Sequence, residues 1–179
     1  MPSIILQCLY FMLPAVFANM APVIVKNRFN NLAIPLDFNK KINNKPIFGK
    51  HKTFRGLVFG VIFAIIIIFI QYVLYSNDIL VDLVIIDYSN WLLLGVLAGL
   101  GTIFGDLMGS FVKRRLNYEP GKPFIPFDQI DAVVGTLIFI YPLVRLSLNK
   151  IIIIFVLSFV LHVTISRLAY ILKVRKEKW

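Results

Sequence analysis

Apolar residues run without a single charge from Met1 to Val25 and again from Gly56 to Asn77. Each run is long enough for the roughly 20 residues of helix that cross a bilayer. Three further apolar stretches follow, Tyr88 to Gly105, Ala132 to Val144 and Ile151 to Ser166. The pattern predicts an all-α integral membrane protein, a single domain over residues 1–179. It should have about five transmembrane helices and two large cytoplasmic loops, the spans falling at about 4–25, 56–76, 88–109, 129–147 and 150–170. The first run lacks the basic start of a signal peptide, so it is expected to be a retained membrane helix.

The fourth span is short. Only Ala132 to Val144 separates Asp131 from Arg145, about 20 Å of helix at 1.5 Å per residue, against a hydrocarbon core of about 30 Å. Arg145 can extend its charge outward, whereas a short Asp cannot reach as far. Asp131 is therefore expected below the membrane surface, facing protein or a water-filled cavity. Asp106, at the end of the third span, falls under the same argument. Two such carboxylates near one face imply a shared vestibule.

Composition agrees: 59% of residues are hydrophobic and 16% charged, against about 25% charged in soluble domains. A net charge of +10 would suggest nucleic acid in a soluble protein, but its placement excludes that partner. All 19 Lys and Arg residues except Arg145 and Lys150 fall in the loops after spans one and three or beyond span five. The positive-inside bias places those segments in the cytoplasm and the N-terminus outside. The Ser76–Asp87 connection fits the other side, with three Asp and no cation. The glycines at 95 and 99 and at 101, 105 and 109 recur every fourth residue, a spacing that permits close helix packing. Cys8 is expected to pack, and His51 and His162 have no zinc-ligand pattern around them. Ser158, His162 and Ser166 form a polar stripe suited to interhelical hydrogen bonds.

Candidate chemistry gathers in the two basic loops. On a helix, Asp106, Ser110 and Lys113 share one face, presenting a carboxylate, a hydroxyl and a cation to a metal-bound polyphosphate. Asp128 and Asp131, three apart after a proline-rich approach, suit metal or nucleotide binding and equally suit helix capping. Phe48 to Gly56 carries cations, Thr53 and glycines at a helix start, where phosphates bind; a plain positive-inside cluster explains its charge as well. It is no P-loop, since the upstream glycine and the preceding strand are missing.

These segments taken in order resemble the CDP-archaeol synthases, small five-span membrane enzymes related to the CDP-diacylglycerol synthases. The matching pieces are Asn19 with Pro22, Pro35 with Asp37, the run Lys52-Thr53-Phe54-Arg55-Gly56, Gly105-Asp106 through Ser110, Lys113-Arg114, and Gly121 through Asp131. The diacylglycerol enzymes' Lys-Asp and Gly-rich His turn are absent, Glu119-Pro120 standing in their place. The resemblance implies a nucleotidyltransferase that moves CMP from CTP to the phosphate of an isoprenoid-ether glycerol phosphate lipid, the unsaturated archaetidic acid 2,3-bis-O-(geranylgeranyl)-sn-glycerol 1-phosphate. Pyrophosphate would leave, and Mg2+ would be required. On this resemblance Asp106, Asp128 and Asp131 are expected to hold Mg2+, with these three and Lys113 catalytic. Lys52, Arg55 and Arg114 are expected on phosphates, Thr53 and Ser110 as hydrogen-bond partners, and Asn19 and Asp37 among the substrate-binding residues. The alternatives are a CTP-dependent lipid kinase, a CDP-diacylglycerol synthase-like enzyme, and a non-catalytic scaffold or transporter subunit. The oligomeric state is not determined by the sequence.

Overall fold

The computed structural model describes residues 2–119 and 122–171. Pro120, Gly121 and the cations Lys173, Arg175, Lys176 and Lys178 lie outside the described residues. Five helices form the body: α1 (Ile4–Ile24), α2 (Phe54–Ser76), α3 (Trp91–Arg115), α4 (Phe127–Ile140) and α5 (Leu148–Ile171). Between α1 and α2 lies a small antiparallel hairpin, β1 (Lys41–Ile42) and β2 (Lys45–Pro46). Its turn residues Asn43 and Asn44 both take positive φ (50° and 60°), the backbone of a two-residue turn whose twist matches the strands.

Four helices, α1, α2, α3 and α5, are long and apolar enough to cross a membrane. The fourth expected span is corrected. Its helix covers 14 residues, about 21 Å, and ends at Ile140 rather than near residue 147. Pro142 cannot donate to the preceding turn, and the chain closes instead with Leu143 and Val144 N–H groups on the Ile140 carbonyl. The third span also shifts. It begins at Trp91, because Asp87 accepts from the Ser89 N–H (2.9 Å) and holds a turn, and it runs on through Lys113, Arg114 and Arg115. Cations in a last turn complement the negative end of the helix dipole.

α3 is the central element, and its glycines serve two faces. A Cβ on Gly95 or Gly99 would lie 2.9 Å from Ile65 Cα or 2.7 Å from Val61 Cα of α2. On the opposite face, a Cβ on Gly101 would lie 2.6 Å from the Gly135 carbonyl of α4, and one on Gly105 would overlap the Asp131 carbonyl. The expected glycine packing is therefore present, main chain against main chain. Deeper along the same seam, the buried Thr102 and Thr136 hydroxyls meet at 2.8 Å. Cys8 is buried with Met12, Val133 and Ile154, and Ser158 of α5 donates to the Gln129 carbonyl of α4 (2.6 Å).

α1 carries Pro14, whose missing N–H leaves the Tyr10 carbonyl without its helical donor. Gln71 of α2 supplies one, its Nε2 donating to that carbonyl at 2.7 Å in a buried contact. In a medium without water such a carbonyl must find its partner inside the protein. At the N-terminal end of α1, Gln7 Nε2 donates to the Asp82 carbonyl (2.9 Å) in the α2–α3 connection. The α1–α2 and α3–α4 loops therefore meet at the other end of the bundle.

Replacing Gln71 with Leu should lower stability by about 1 kcal/mol, the scale of an interhelical hydrogen bond in a membrane. Pro14→Ala, which restores the helical donor, should suppress most of that loss in thermal unfolding of the detergent-solubilised protein.

Candidate active site at the loop end of the bundle

The first loop is folded so as to deliver Lys52. Lys52 and Phe54, on either side of Thr53, pair with an earlier stretch: Leu36 N–H donates to the Lys52 carbonyl (2.8 Å) and Phe54 N–H to the Ile34 carbonyl (3.0 Å). Asp37 fastens the intervening segment. Its Oδ2 accepts from the Phe48 and Gly49 N–H groups and its Oδ1 from Asn39 N–H, each at 3.0 Å. Burial opposes the Asp37 charge, but the backbone donors outweigh it and hold the carboxyl below its ordinary value. Gly49 takes φ +102° at this staple, a conformation that costs a residue without a side chain little. Thr53 then caps α2, its Oγ1 accepting from Gly56 N–H (3.3 Å).

Lys52 Nζ consequently reaches Asp106 of α3, 2.6 Å from Oδ1, with both side chains partly exposed. Across the glycine seam stands Asp131 of α4, within electrostatic reach of Asp106, Asp128 and Lys52. Its Oδ2 lies where a side chain on Gly109 would be, so Gly109 provides the space for this carboxylate. One turn further along α3, Lys113 Nζ donates to Asp128 Oδ2 at 2.7 Å. That same oxygen accepts from Phe124 N–H (2.9 Å), where the second loop enters α4. Ser110 and Lys113 are buried. Arg114, also buried, leaves its Nε and Nη1 without a hydrogen-bond partner among the described residues while lying within reach of the Asp128 charge.

The residues singled out by sequence are thus not all brought to one place. Lys52, Asp106, Ser110, Lys113, Arg114, Asp128 and Asp131 share the facing surfaces of the first loop, α3 and α4. Asp37 and Thr53 act on the loop and helix that carry Lys52, through the backbone bonds above. Arg55 donates to the Arg28 carbonyl (3.0 Å) and so braces the start of the first loop, and Asn19 is exposed on α1.

A family model described as CarS-like, CDP-archaeol synthase, matches residues 1–179. The chain belongs to the CDP-archaeol synthase family. A CDP-archaeol synthase of Pyrococcus furiosus is 33% identical over 179 residues, covering 98% of each chain. One from Methanocaldococcus jannaschii is 32% identical over 176 residues, covering 96% of this chain and 95% of its own length. A solved structure described as an intramembrane enzyme for archaeal membrane lipids biosynthesis superposes with a TM-score of 0.74 at 26% identity, covering 89% of this chain and 92% of that one. As a CDP-archaeol synthase family member with four apolar helices long enough to span, the chain is a multi-pass membrane protein.

Among the described residues of this family member, no three His, Cys, Asp or Glu side chains gather closely enough to hold a metal ion. Asp106, Asp128 and Asp131 do not form one three-carboxylate set: Asp128 is paired with Lys113 and the Phe124 N–H, and Asp106 with Lys52 through both of its oxygens. The Asp106 charge acts on Asp131 more strongly than that of Asp128 does, so a cation that displaced Lys52 would meet Asp106 and Asp131 together. Mg2+ commonly takes one or two carboxylates and completes its shell with phosphate oxygens and water, so this donor set fits a cation shared with a polyphosphate.

Neither Gly109 nor Asp37 is a plain packing or binding residue in this arrangement. Gly109→Ala should displace the Asp131 carboxylate with little loss of thermal stability, lowering kcat by up to about 10²-fold, the scale of an ångström-level misplacement. Gly105→Ala, which meets main chain instead, should lower the melting temperature.

For Asp37 the sign follows from its lowered folded-state pKa. Its contribution is full above the unfolded value near about 4 and is lost as pH falls through the lower folded value. Protection of the Phe48 and Gly49 amides in hydrogen exchange should fall on acidification in the wild type. In Asp37→Asn it should be weak at every pH.

Proposed function

We propose that this protein transfers the cytidylyl group of CTP to the phosphate of an unsaturated archaetidic acid, giving CDP-archaeol and pyrophosphate. The acceptor is 2,3-bis-O-(geranylgeranyl)-sn-glycerol 1-phosphate. Full-length membership of the CDP-archaeol synthase family supports this. The observation that carries it is the Lys52–Asp106 contact beside Asp131, which brings a cation and two carboxylates from distant parts of the chain to one end of the bundle.

An oxygen of the lipid phosphate attacks the α-phosphorus of CTP, the bond from that phosphorus to the β-bridging oxygen breaks, and pyrophosphate leaves with the electron pair. The attacking oxygen is already anionic, so no side chain has to remove a proton. Two polyanions must instead be held together. Lys52, Lys113 and Arg114 oppose their repulsion, and the buried hydroxyl of Ser110 lies between the Asp106 and Lys113 turns. Asp106 and Asp131 would hold Mg2+, which when bound supplies Lewis-acid neutralisation of phosphoryl oxygens. The two basic loops and the C-terminus face the cytoplasm, where CTP is available, and the N-terminus faces outward.

Purified protein given α-labelled CTP, Mg2+ and the geranylgeranyl ether phosphate should place label in the lipid and release pyrophosphate. A diacyl phosphatidic acid should be the poorer acceptor. Asp106→Asn and Asp131→Asn should each lose about 10²-fold or more of the rate, and Lys52→Arg should not be neutral. Transfer of the γ-phosphoryl group instead, or full activity in both Asn variants across magnesium concentrations, would refute the assignment.

A further inference from the structure

Lys113, Arg114 and Arg115 form one basic run, yet the third residue is used differently from the first two. Arg115 turns back from the end of α3 onto the hairpin of the first loop. Its Nη1 donates to the Ile42 carbonyl (2.9 Å) and its Nη2 to the Lys45 (3.2 Å) and Pro46 carbonyls. Lys45 Nζ returns a bond to the Arg115 carbonyl (3.2 Å), one of the last carbonyls of α3, which lack helical donors. The guanidinium also lies 5.2 Å from the centre of the Phe111 ring, one turn back on α3. Segments about 70 residues apart are thereby interlocked.

We infer that Arg115 is a positioning residue for nucleotide binding: by gripping the β1–β2 hairpin through three carbonyls it fixes the first loop on α3 and sets Lys52 against the Asp106 turn. The path from clamp to site is short. Pro46 is followed by Phe48 and Gly49, which Asp37 staples, and then by Lys52, whose carbonyl is held by Leu36. Asp106 and Arg115 belong to the same helix, so the loop is anchored to α3 at two places, at the hairpin and at the lysine. A planar guanidinium with donors on both terminal nitrogens can serve three carbonyls at once. A lysine ammonium on a flexible stem cannot hold the same fork. An arginine that bound phosphate directly would have its terminal nitrogens free for an anion, whereas both of these donate to main-chain oxygens and only Nε is left without a partner among the described residues.

The inference rests on the proposed contact of Lys52 with CTP phosphates, and the test separates the two. CTP affinity in the presence of Mg2+ is measured by equilibrium binding for the detergent-solubilised full-length protein, alongside KM, kcat and melting temperature. The variants are Arg115→Ala, Arg115→Lys, Lys45→Ala, Lys52→Met and the Arg115→Ala/Lys52→Met double variant. Arg115→Ala is expected to weaken CTP binding roughly tenfold, raising KM more than it lowers kcat, and Arg115→Lys should behave like Ala despite keeping the charge. Lys45→Ala, which leaves Arg115 in place and opens one bond of the interlock, should produce a smaller loss of the same kind, and it carries the test if Arg115→Ala does not fold. In the Lys52→Met background the loss on removing Arg115 should shrink to about twofold or less, because residues acting through one another are not additive.

Full retention of CTP affinity in Arg115→Lys with loss in Arg115→Ala would overturn the inference in favour of direct phosphate binding. Additive losses, or unchanged affinity in both Arg115→Ala and Lys45→Ala, would overturn it as well. Lys52→Met with unaltered CTP affinity would sink the underlying assignment of Lys52 together with the clamp, whereas a weakened Lys52→Met with additive losses sinks the clamp alone.

Discussion

Where Gly101 meets the backbone of Gly135 and Gly105 meets that of Asp131, α3 and α4 touch with no side chain between them. In hydrocarbon there is no hydrophobic gain from bringing two helices together, since lipid tails are as apolar as leucine, so association depends on close packing and interhelical hydrogen bonds. Glycine permits the first, and the Thr102–Thr136 pair supplies the second a turn away. The same closeness brings the Asp131 carboxylate over Gly109 and across from Asp106. A larger residue at either glycine would separate the carboxylates as well as the helices.

The charged groups at that end come from distant parts of the chain and need rigid carriers. Asp106 and Lys113 ride on α3, Asp128 and Asp131 on the first turns of α4, and all four are placed by one helix contact. Lys52 has no helix beneath it. Its position depends on an Asp37 staple, a pairing of residues 34–36 with 52–54, and the grip of Arg115 on the hairpin. The loop is thus built from hydrogen bonds to its backbone rather than from an apolar core, in keeping with a segment that has many cations and few large buried side chains. Arg114 is buried with two nitrogens unpartnered among the described residues, where Arg115 leaves only its Nε so. Desolvated donors of that kind are costly unless an acceptor reaches them.

Sequence patterning was most informative where period and length speak directly. The charge-free runs lie within about three residues of α1 and α2, and the four-residue spacing of glycines points to the close helix packing that α3 makes. The shortness of the fourth span was visible in the interval between Asp131 and Arg145, but its true end was hidden because Pro142 was read as part of an apolar run instead of as a missing donor. The hairpin was missed although Asn43-Asn44 is a turn signal for positive φ, since a basic loop between two membrane spans carries no alternating apolar pattern to announce strands. Asp37 and Thr53, expected among the substrate-binding residues, bond to main-chain N–H groups of the loop and helix that carry Lys52. Side chains that serve main-chain N–H groups look the same in a sequence as side chains that serve a ligand, and only the donors' positions separate them. Arg115, hidden in a run of three cations, had no distinguishing mark at all.

Pro142 stops α4 at its far end, and what this end of the bundle has to accommodate shapes its start. At about 21 Å it falls well below the roughly 30 Å of a hydrocarbon core, and its first turns carry Asp128, Gln129 and Asp131, which a full-length apolar span could not accept. A lipid phosphate stays at headgroup depth because its chains remain in the bilayer, while a nucleoside triphosphate stays in water. A reaction between them needs charged side chains where the two meet, held by helices that are themselves anchored in lipid. A full-length α3 beside a truncated α4 meets that need. α3 extends past the seam far enough to carry Asp106, Ser110, Lys113 and Arg114 in successive turns, and α4 begins beside them with its carboxylates instead of continuing the apolar wall.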